Sequence, residues 1–395
     1  MQTDKPSNPR IQALDFRLRL AVWHLLAAWL AVAAPTADAA DGVEPGLVRL
    51  GMVNAQTGPA SALGQGMLAG AQAVFNEVNA RGGVHGRKIV LRVADDAYEP
   101  EQTLVQTMAM VQEHQVLALF GFVGTPTTNA ILPLLTESGV PLVGVFSGAA
   151  SLRHPVRPQL FNMRASYDDE AEALIAHLGR TGAIKVAVVY QNDGFGLSVL
   201  SAVEKALRRG TLKLHASASF QRNTLAIKSA LAAMMEAEPD VVVLAGTYAP
   251  VAAFVTQARA KGLKSRFASV SFVGTESLLA RLGPEGEGML ISQVMPFPMD
   301  DSLAITRDCR ARLRGHANEA LTYVNFEGCV TAKLMVAGLE RAGPQPTRQR
   351  LMDALEGLQT LDLGGLRLRL SAADHQASDL VFLTQVRDGR ITEVR

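Results

Sequence analysis

Residues 48–100, VRLGMVNAQTGPASALGQGMLAGAQAVFNEVNARGGVHGRKIVLRVADDAYEP, read as a strand, a loop, a helix and a second strand. Val48 to Val53 is a continuous apolar run. Met67, Leu68, Ala71, Val74, Phe75 and Val78 then recur on one helical face until Gly82-Gly83 ends it, and Ile89 to Val93 forms the next strand. A strand that is apolar on both sides has to be covered on both faces, and a helical crossover makes its neighbour parallel. The plan continues through a helix over 101–114, a strand over 116–121, a helix over 126–138 and a strand over 140–145. Such alternation predicts an α/β fold built on a doubly wound parallel sheet.

A second copy of the plan begins near Lys185. KVAVVYQNDGFGLSVLSAVEKALRRGTLKLHASASF repeats strand, polar loop, helix, Gly and strand, and PDVVVLAGTYAPVAAFVTQARAKGLKSRFASV parallels QVLALFGFVGTPTTNAILPLLTESGVPLVGVF. The 395 residues also exceed the ~250 to 300 at which a single core stops growing, so two similar lobes are expected. The C-terminal part breaks the pattern, with amphipathic helices near 302–315, 322–342 and 347–356 ahead of the strand-rich LRLRL and LVFLTQV. Too short for a third lobe, it has to pack back on the first two. The chain then crosses between lobes near Arg164, near Gln293 to Pro296 and near Leu361 to Gly364. This assigns 40–164 with 296–361 to lobe 1 and 165–295 with 362–395 to lobe 2. A multi-strand hinge of this kind leaves a cleft, and open parallel sheets bind ligands beyond the carboxyl ends of their strands.

Residues 1–39 stand apart as a secretory leader of the Sec type. Arg10, Arg17 and Arg19 precede an apolar stretch from Leu20 to Ala34, and Ala37-Asp38-Ala39 is a small-residue cleavage site. The apolar stretch is shorter than the ~18 to 20 residues that span a bilayer, and the leader has no Cys for a lipid anchor. The formal charge of +1 falls to about zero without the leader, and the arginines from 307 to 314 sit at helical spacing as a solvated face. No nucleic-acid partner is implied. Cys309 and Cys329 lie 20 apart on neighbouring helices, where an oxidising compartment permits one disulfide and two buried thiols are the alternative. Neither has a His or Cys at zinc spacing, so no metal site is expected.

Gly64-Gln65-Gly66 with Gly70 nearly matches a dinucleotide fingerprint. The glycines follow Val53 only after a ten-residue loop, whereas the fingerprint needs them in the turn itself, so they read better as thinning one helix for close packing. Ser147, in Gly144-Val145-Phe146-Ser147-Gly148, has the position of a nucleophile elbow without its spacing, and the histidines are scattered. Neither an enzyme nor a cofactor is expected. The loops after the strands offer small hydroxyl and Gly residues instead, Thr125 opening a helix and Ser147 with Gly148 and Ala149. Helix N-termini carry unpaired N–H groups and a positive dipole end, so these loops can hold a carboxylate without an arginine. Capping of their own helices is the plainer role for the same hydroxyls. Phe146, Tyr167, Phe195, Tyr248 and Phe272 fall in or beside the same loops and would wall a site for an amphipathic ligand.

TGPASALGQGMLAGAQAVFNEVNARGGVHGRKI, DDAYEP, ALFGFVGTPTTNAILPLL, VPLVGVFSGA, VVYQNDGFG, VVLAGTY and SAADHQASD together resemble the type I periplasmic binding proteins of ABC transporters, in the leucine/isoleucine/valine-binding branch. The resemblance runs through the whole chain after the leader. It implies a monomeric Venus-flytrap receptor in the periplasm, soluble after export, that closes on a small carboxylate and docks on ABC permease membrane subunits. It also places the ligand carboxylate on Thr125, Ser147 and Gly148, aromatic walls on Phe195 and Tyr248, and a first-lobe contribution at Ala62 and Leu63. The acid that pairs with the ligand ammonium in that branch falls on Ser271, beside Phe272, with Glu276 several residues on. Either Asp96, Asp193 or another group takes its place, or the ligand is an aromatic or aliphatic acid without an amine. A sensing module that presents its ligand to a signalling receptor would carry the same sequence.

Overall fold

Two mostly parallel sheets carry the chain. The computed structural model describes residues 42–210, 212–317 and 319–394, so the leader expected over 1–39 lies outside the described residues. The first sheet holds β1 (Val43–Glu44), β2 (Leu47–Asn54), β3 (Lys88–Asp95), β4 (Ala118–Phe120), β5 (Leu142–Val143) and β6 (Leu160–Phe161), ordered β1-β2-β4-β5-β6 with β3 also paired to β2. Every pairing in it is parallel except that of β1 with β2. Its crossovers are α1 (Ser61–Ala80), α2 (Pro100–Gln112) and α3 (Thr125–Ser138).

After a crossing over residues 162–166, α4 (Tyr167–Arg180) opens the second lobe, fixed at its start by a reciprocal cap between Ser166 and Asp169. There follow β7 (Lys185–Gln191), α5 (Gly194–Arg208), β8 (Lys213–Phe220), α6 (Lys228–Ala237), β9 (Val241–Ala245), α7 (Tyr248–Ala260), β10 (Arg266–Ser269), α8 (Thr275–Leu282) and β11 (Leu290–Gln293). With β14 (Phe382–Arg387) and β15 (Arg390–Glu393) they form a sheet ordered β15-β14-β11-β10-β9-β7-β8. The interior strand β9, VVVLA, is buried at every position, as a strand covered on both faces must be.

The remaining helices, α9 (Ala304–Ala317), α10 (Tyr323–Ala342) and α11 (Arg348–Glu356), return to the first lobe, where α9 and α10 pack on α1. The glycines of α1 make this possible. A Cβ on Gly70 would lie 2.0 Å from the Asn325 carbonyl oxygen, one on Gly66 2.7 Å from Val324 Cγ1, and one on Gly64 1.9 Å from the Ala55 carbonyl oxygen. Gly66 and Gly70 thin the helix toward α10, and Gly64 toward the loop after β2. Cys309 and Cys329 are joined by a disulfide that ties α9 to α10, with their Cα atoms 6.1 Å apart.

The third crossing differs from the expected one at Leu361 to Gly364. β12 (Leu361–Asp362) and β13 (Arg367–Leu368) make a hairpin, and Leu366, Leu368, Leu370 and Ala377 are buried in the core of the first lobe with Phe161 and Leu355. Asn162 takes the chain alongside by bonding the backbone of His375 and Ala377. The crossing therefore falls between Ala377 and β14, and residues 362–377 belong with lobe 1.

Gly70→Ala is expected to destabilise the protein by about 1 to 3 kcal/mol through overpacking, more than the ~1 kcal/mol that alanine adds to helix propensity; an unchanged urea midpoint would refute the close-packing role. Opening the 20-residue loop by Cys309→Ser with Cys329→Ser should cost about 3 kcal/mol, read from the same unfolding curves.

Candidate ligand-binding site

Loops at the carboxyl ends of β4 and β5 zip together and bring two hydroxyls side by side. Val123 bridges Phe146 in parallel, the Phe146 N–H donates to the Phe122 carbonyl at 2.7 Å, and the Gly124 N–H donates to the Phe146 carbonyl at 3.1 Å. Thr125 Oγ1 then lies 2.8 Å from Ser147 Oγ, both fully buried. Gly124 allows the turn: its φ is 106°, and a Cβ would sit 2.3 Å from the Tyr98 ring. It is also the N-cap of α3 and has no side chain to cap with, so the positive end of that helix stays open at Thr125. Thr125 does not cap α3, whereas Ser147 Oγ accepts from the Ala149 N–H at 3.2 Å.

Gly148 lets a further hydroxyl in. A Cβ there would meet the Tyr167 ring at 2.5 Å, and its carbonyl takes the Tyr167 N–H at 2.7 Å. The Tyr167 hydroxyl is turned toward Ser147 but makes no hydrogen bond of good geometry among the described residues, and burial pushes its pKa well up. Opposite, the start of α5 faces the start of α3, a Cβ on Gly194 falling 3.5 Å from Thr125 Cγ2.

Arg153 holds this corner in shape. Its buried guanidinium donates to the carbonyls of Ser147 at 3.1 Å, Ala149 at 3.1 Å and Arg164 at 2.9 Å, and to Gln376 Oε1 at 2.5 Å. Burial, and then the neighbouring Arg164, lower its pKa to about 10, so it stays charged at neutral pH.

Aromatic rings close the seam between the lobes. Phe272 stands 4.3 Å from Phe195 of its own lobe, and 5.5 Å from Phe146 and 6.1 Å from Tyr98 of the other, centroid to centroid. The Tyr248 hydroxyl accepts from the Ala62 N–H at 3.2 Å, and Leu63 packs where Gly274 has no side chain. Asn223 donates to Glu99 Oε1 at 2.7 Å across the rim, beside the ion pair of Arg222 with Glu99. The gap expected between the lobes is thus shut. At its floor remains a cavity of about 10 Å³ lined by Phe146, Arg164, Ser271, Tyr323 and Glu327, among others. A larger hollow, about 670 Å³, lies around Thr181, Asp240 and Arg266, at the ends of strands that point away from the seam.

All ten ligand-contact candidates, Ala62, Leu63, Thr125, Phe146, Ser147, Gly148, Phe195, Tyr248, Ser271 and Phe272, fall in or beside this seam. The expected substitute acids are otherwise engaged. Asp96 accepts from the Tyr98 N–H and from Thr103, with burial raising its pKa to about 6, and Asp193 caps α5 through the Phe195 and Gly196 N–H groups. Ser271 is a hub: its N–H and hydroxyl both donate to Glu170, at 2.8 and 3.0 Å, while Arg164 donates to its hydroxyl at 2.6 Å. Arg164 Nε lies 3.1 Å from Glu327. Glu276 accepts the Tyr323 N–H at 2.8 Å, at the start of α10 in the other lobe. Sequence reasoning did not single out Arg153, Glu170 or Glu327, and took Arg164 only as a crossing point. The available signal was an acid inside an otherwise apolar helical stretch, YVNFEGCV for Glu327.

A family model described as periplasmic binding protein matches residues 47–390. The chain belongs to the periplasmic binding protein family. It is similar to a leucine-specific-binding protein of Salmonella typhimurium, 23% identical over 256 residues that cover 64% of this chain and 69% of that one. Among solved structures, a possible leucine/isoleucine/valine-binding protein from Rhodopirellula baltica is 30% identical, with a TM-score of 0.84 over 89% of this chain and 97% of that one. A substrate-binding periplasmic protein from Ralstonia solanacearum is 29% identical, with a TM-score of 0.83 over 88% and 99%. The two-lobed α/β architecture and the family expected from the sequence both hold, and the family is one of substrate-binding proteins.

Burial, against the attraction of Arg164, raises Glu327 from the ordinary 4.5 to about 7. Folded Glu327 therefore binds its proton more tightly than unfolded Glu327. That contribution to stability is complete below pH 4.5 and is lost as pH rises through 7. Denaturant midpoints taken from pH 5 to 8 should fall more steeply for the wild type than for Glu327→Gln; equal slopes would contradict the shift.

Proposed function

We propose that this chain is the periplasmic receptor component of an ABC importer for a hydrophobic amino acid or a related small carboxylate, held between the two lobes. The observation that carries the reading is the buried pair Thr125 and Ser147 at the uncapped start of α3, with the Tyr167 hydroxyl turned toward Ser147. Oriented hydroxyls and open N–H groups in a buried corner suit a carboxylate, and the Phe146, Phe195 and Phe272 rings supply an apolar wall. The names of the relatives support an amino acid with a hydrophobic side chain. An acid without an amine is favoured by a separate observation, since Asp96 and Asp193 are both committed to backbone N–H groups.

In this reading the leader over 1–39 is removed on export, the mature protein is a soluble monomer, and the shut form is what the permease membrane subunits recognise. A ligand acts by favouring that form through its differential affinity. Among the described residues no helix is long and apolar enough to cross a membrane, and no group of His, Cys, Asp and Glu is placed to hold a metal.

A thermal-shift screen of amino acids and simple carboxylates identifies the ligand, because one present at 100 times its Kd adds about 2.7 kcal/mol of stability. With that ligand, Thr125→Ala and Ser147→Ala should each weaken binding by about 1 to 2 kcal/mol in calorimetry. Full affinity in both variants would remove the carboxylate from this corner.

A further inference from the structure

The crossings between the lobes gather at one side of the molecule, because β6, β11 and β14, the strands they join, lie toward one end of their sheets. At the opposite ends stand the edge strands β3 and β8, and the loops that follow these two meet across the far lip of the seam. There the turn over 96–99 of lobe 1 is gripped by residues of lobe 2. The Asn223 amide donates to the Ala97 carbonyl at 3.2 Å and to Glu99 Oε1 at 2.7 Å, Arg222 pairs with the other carboxylate oxygen of Glu99, and Gln191 Nε2 donates to the Tyr98 hydroxyl at 3.4 Å. Both neighbours of the Asn223 side chain are acceptors, which fixes the orientation of its amide.

Both sides of this contact hold backbone conformations that L-residues seldom adopt. Ala97, Tyr98 and Asn223 have φ of 48°, 63° and 55°, and such residues persist only where their surroundings over-determine them. Lobe 1 does so internally. Asp95 accepts from the N–H groups of Gln56, Thr57 and Ala97, and Asp96 from that of Tyr98, so the turn is set before lobe 2 reaches it. On the other side Asn223 is, after Gly, the residue type best suited to a positive φ. The partners touch directly, and no guest is needed to bridge them.

Position gives these contacts their leverage. When two lobes turn about their crossings, a contact close to the crossings, such as Arg164 with Ser271, moves little, whereas one at the opposite lip separates the most. The Arg222 and Glu99 pair is partly exposed and adds little alone. Joined to the two Asn223 hydrogen bonds on a preformed turn, it becomes a contact that opening breaks entirely.

We propose that the turn over 96–99 and the loop carrying Arg222 and Asn223 form a clamp that holds the lobes shut without a guest, so that Glu99, Arg222 and Asn223 are positioning residues that set how fast a guest enters and leaves. The inference rests on the receptor reading above only in taking the lobes to part about their crossings.

Small-angle X-ray scattering from the full mature chain without added ligand tests the clamp before any guest is known. The wild type is expected to fit the shut structure. Arg222→Glu and Asn223→Asp each set a second carboxylate against Glu99, the latter with a residue that still tolerates the positive φ, and should enlarge the radius of gyration. Glu99→Arg combined with Arg222→Glu restores an opposite pair and should bring it back toward the wild-type value. In stopped flow with leucine and with hexanoate, the two single variants should take up and release the compound that binds at least about fivefold faster than the wild type. A wild type that already scatters as an open form, or single variants that scatter as the wild type does, overturns the clamp and leaves the receptor reading standing. The expected scattering shifts with binding of neither compound support the clamp and count against the receptor reading instead.

Discussion

Arg164 joins the halves of this molecule electrostatically, at the one residue where the first crossing turns from sheet to helix. Its side chain reaches Ser271 in the second lobe and Glu327 in the first, and its carbonyl is taken by Arg153. A guanidinium this deeply buried is tolerable only if its lost hydration is replaced, here by a carboxylate, a hydroxyl and the face of Phe146. Such a group is poor evidence for net stability. It is good evidence for geometry, because Ser271 is fixed in turn by Glu170, and Glu170 by Ser292 at the end of the second sheet. The carboxyl ends of both sheets are therefore registered against each other through one chain of charge-assisted hydrogen bonds.

The C-terminal helices serve the same place. α10 can lie on α1 at backbone distance only because Gly70 offers no Cβ to the Asn325 carbonyl and Gly328 none to that of Met67. That approach sets the depth at which the first turns of α10 reach the seam, where Glu327 meets Arg164. Glu276 of the second lobe then accepts the Tyr323 N–H, an acid at the positive end of a helix. Glycines on α1 and α10 thus position the polar floor of the seam.

Strand and helix alternation revealed both sheets because a strand buried on both faces has to be apolar throughout, and the loops at the strand ends exposed Thr125, Ser147, Phe195 and Tyr248 by position. What stayed hidden was pairing. Arg164 and Glu327 are distant in the chain, and neither has a local pattern that names the other. Arg153 is equally silent, because its partners are backbone carbonyls that any sequence supplies. The misplaced third crossing has a similar cause: the LRLRL hairpin carries the alternation of a sheet strand, and only the burial of Leu366, Leu368 and Leu370 among first-lobe residues shows which core it serves.

Closure of the seam draws on contacts within the chain as well as on a guest. Phe272 against Phe146 and Tyr98 buries large apolar surface, whereas the rim pair of Arg222 and Glu99 is partly exposed, a class of contact worth at most ~1 kcal/mol. A guest that must drive a two-state closure from 1:99 to 99:1 has to favour the shut form by about 5.5 kcal/mol. The more of the shut form the aromatic seam already stabilises, the less the guest must supply, and the weaker the discrimination those rings provide among apolar guests. In the proposed receptor, selection would then pass to the buried hydroxyls at the start of α3, since a hydrogen bond left unmade there is a cost no ring contact offsets.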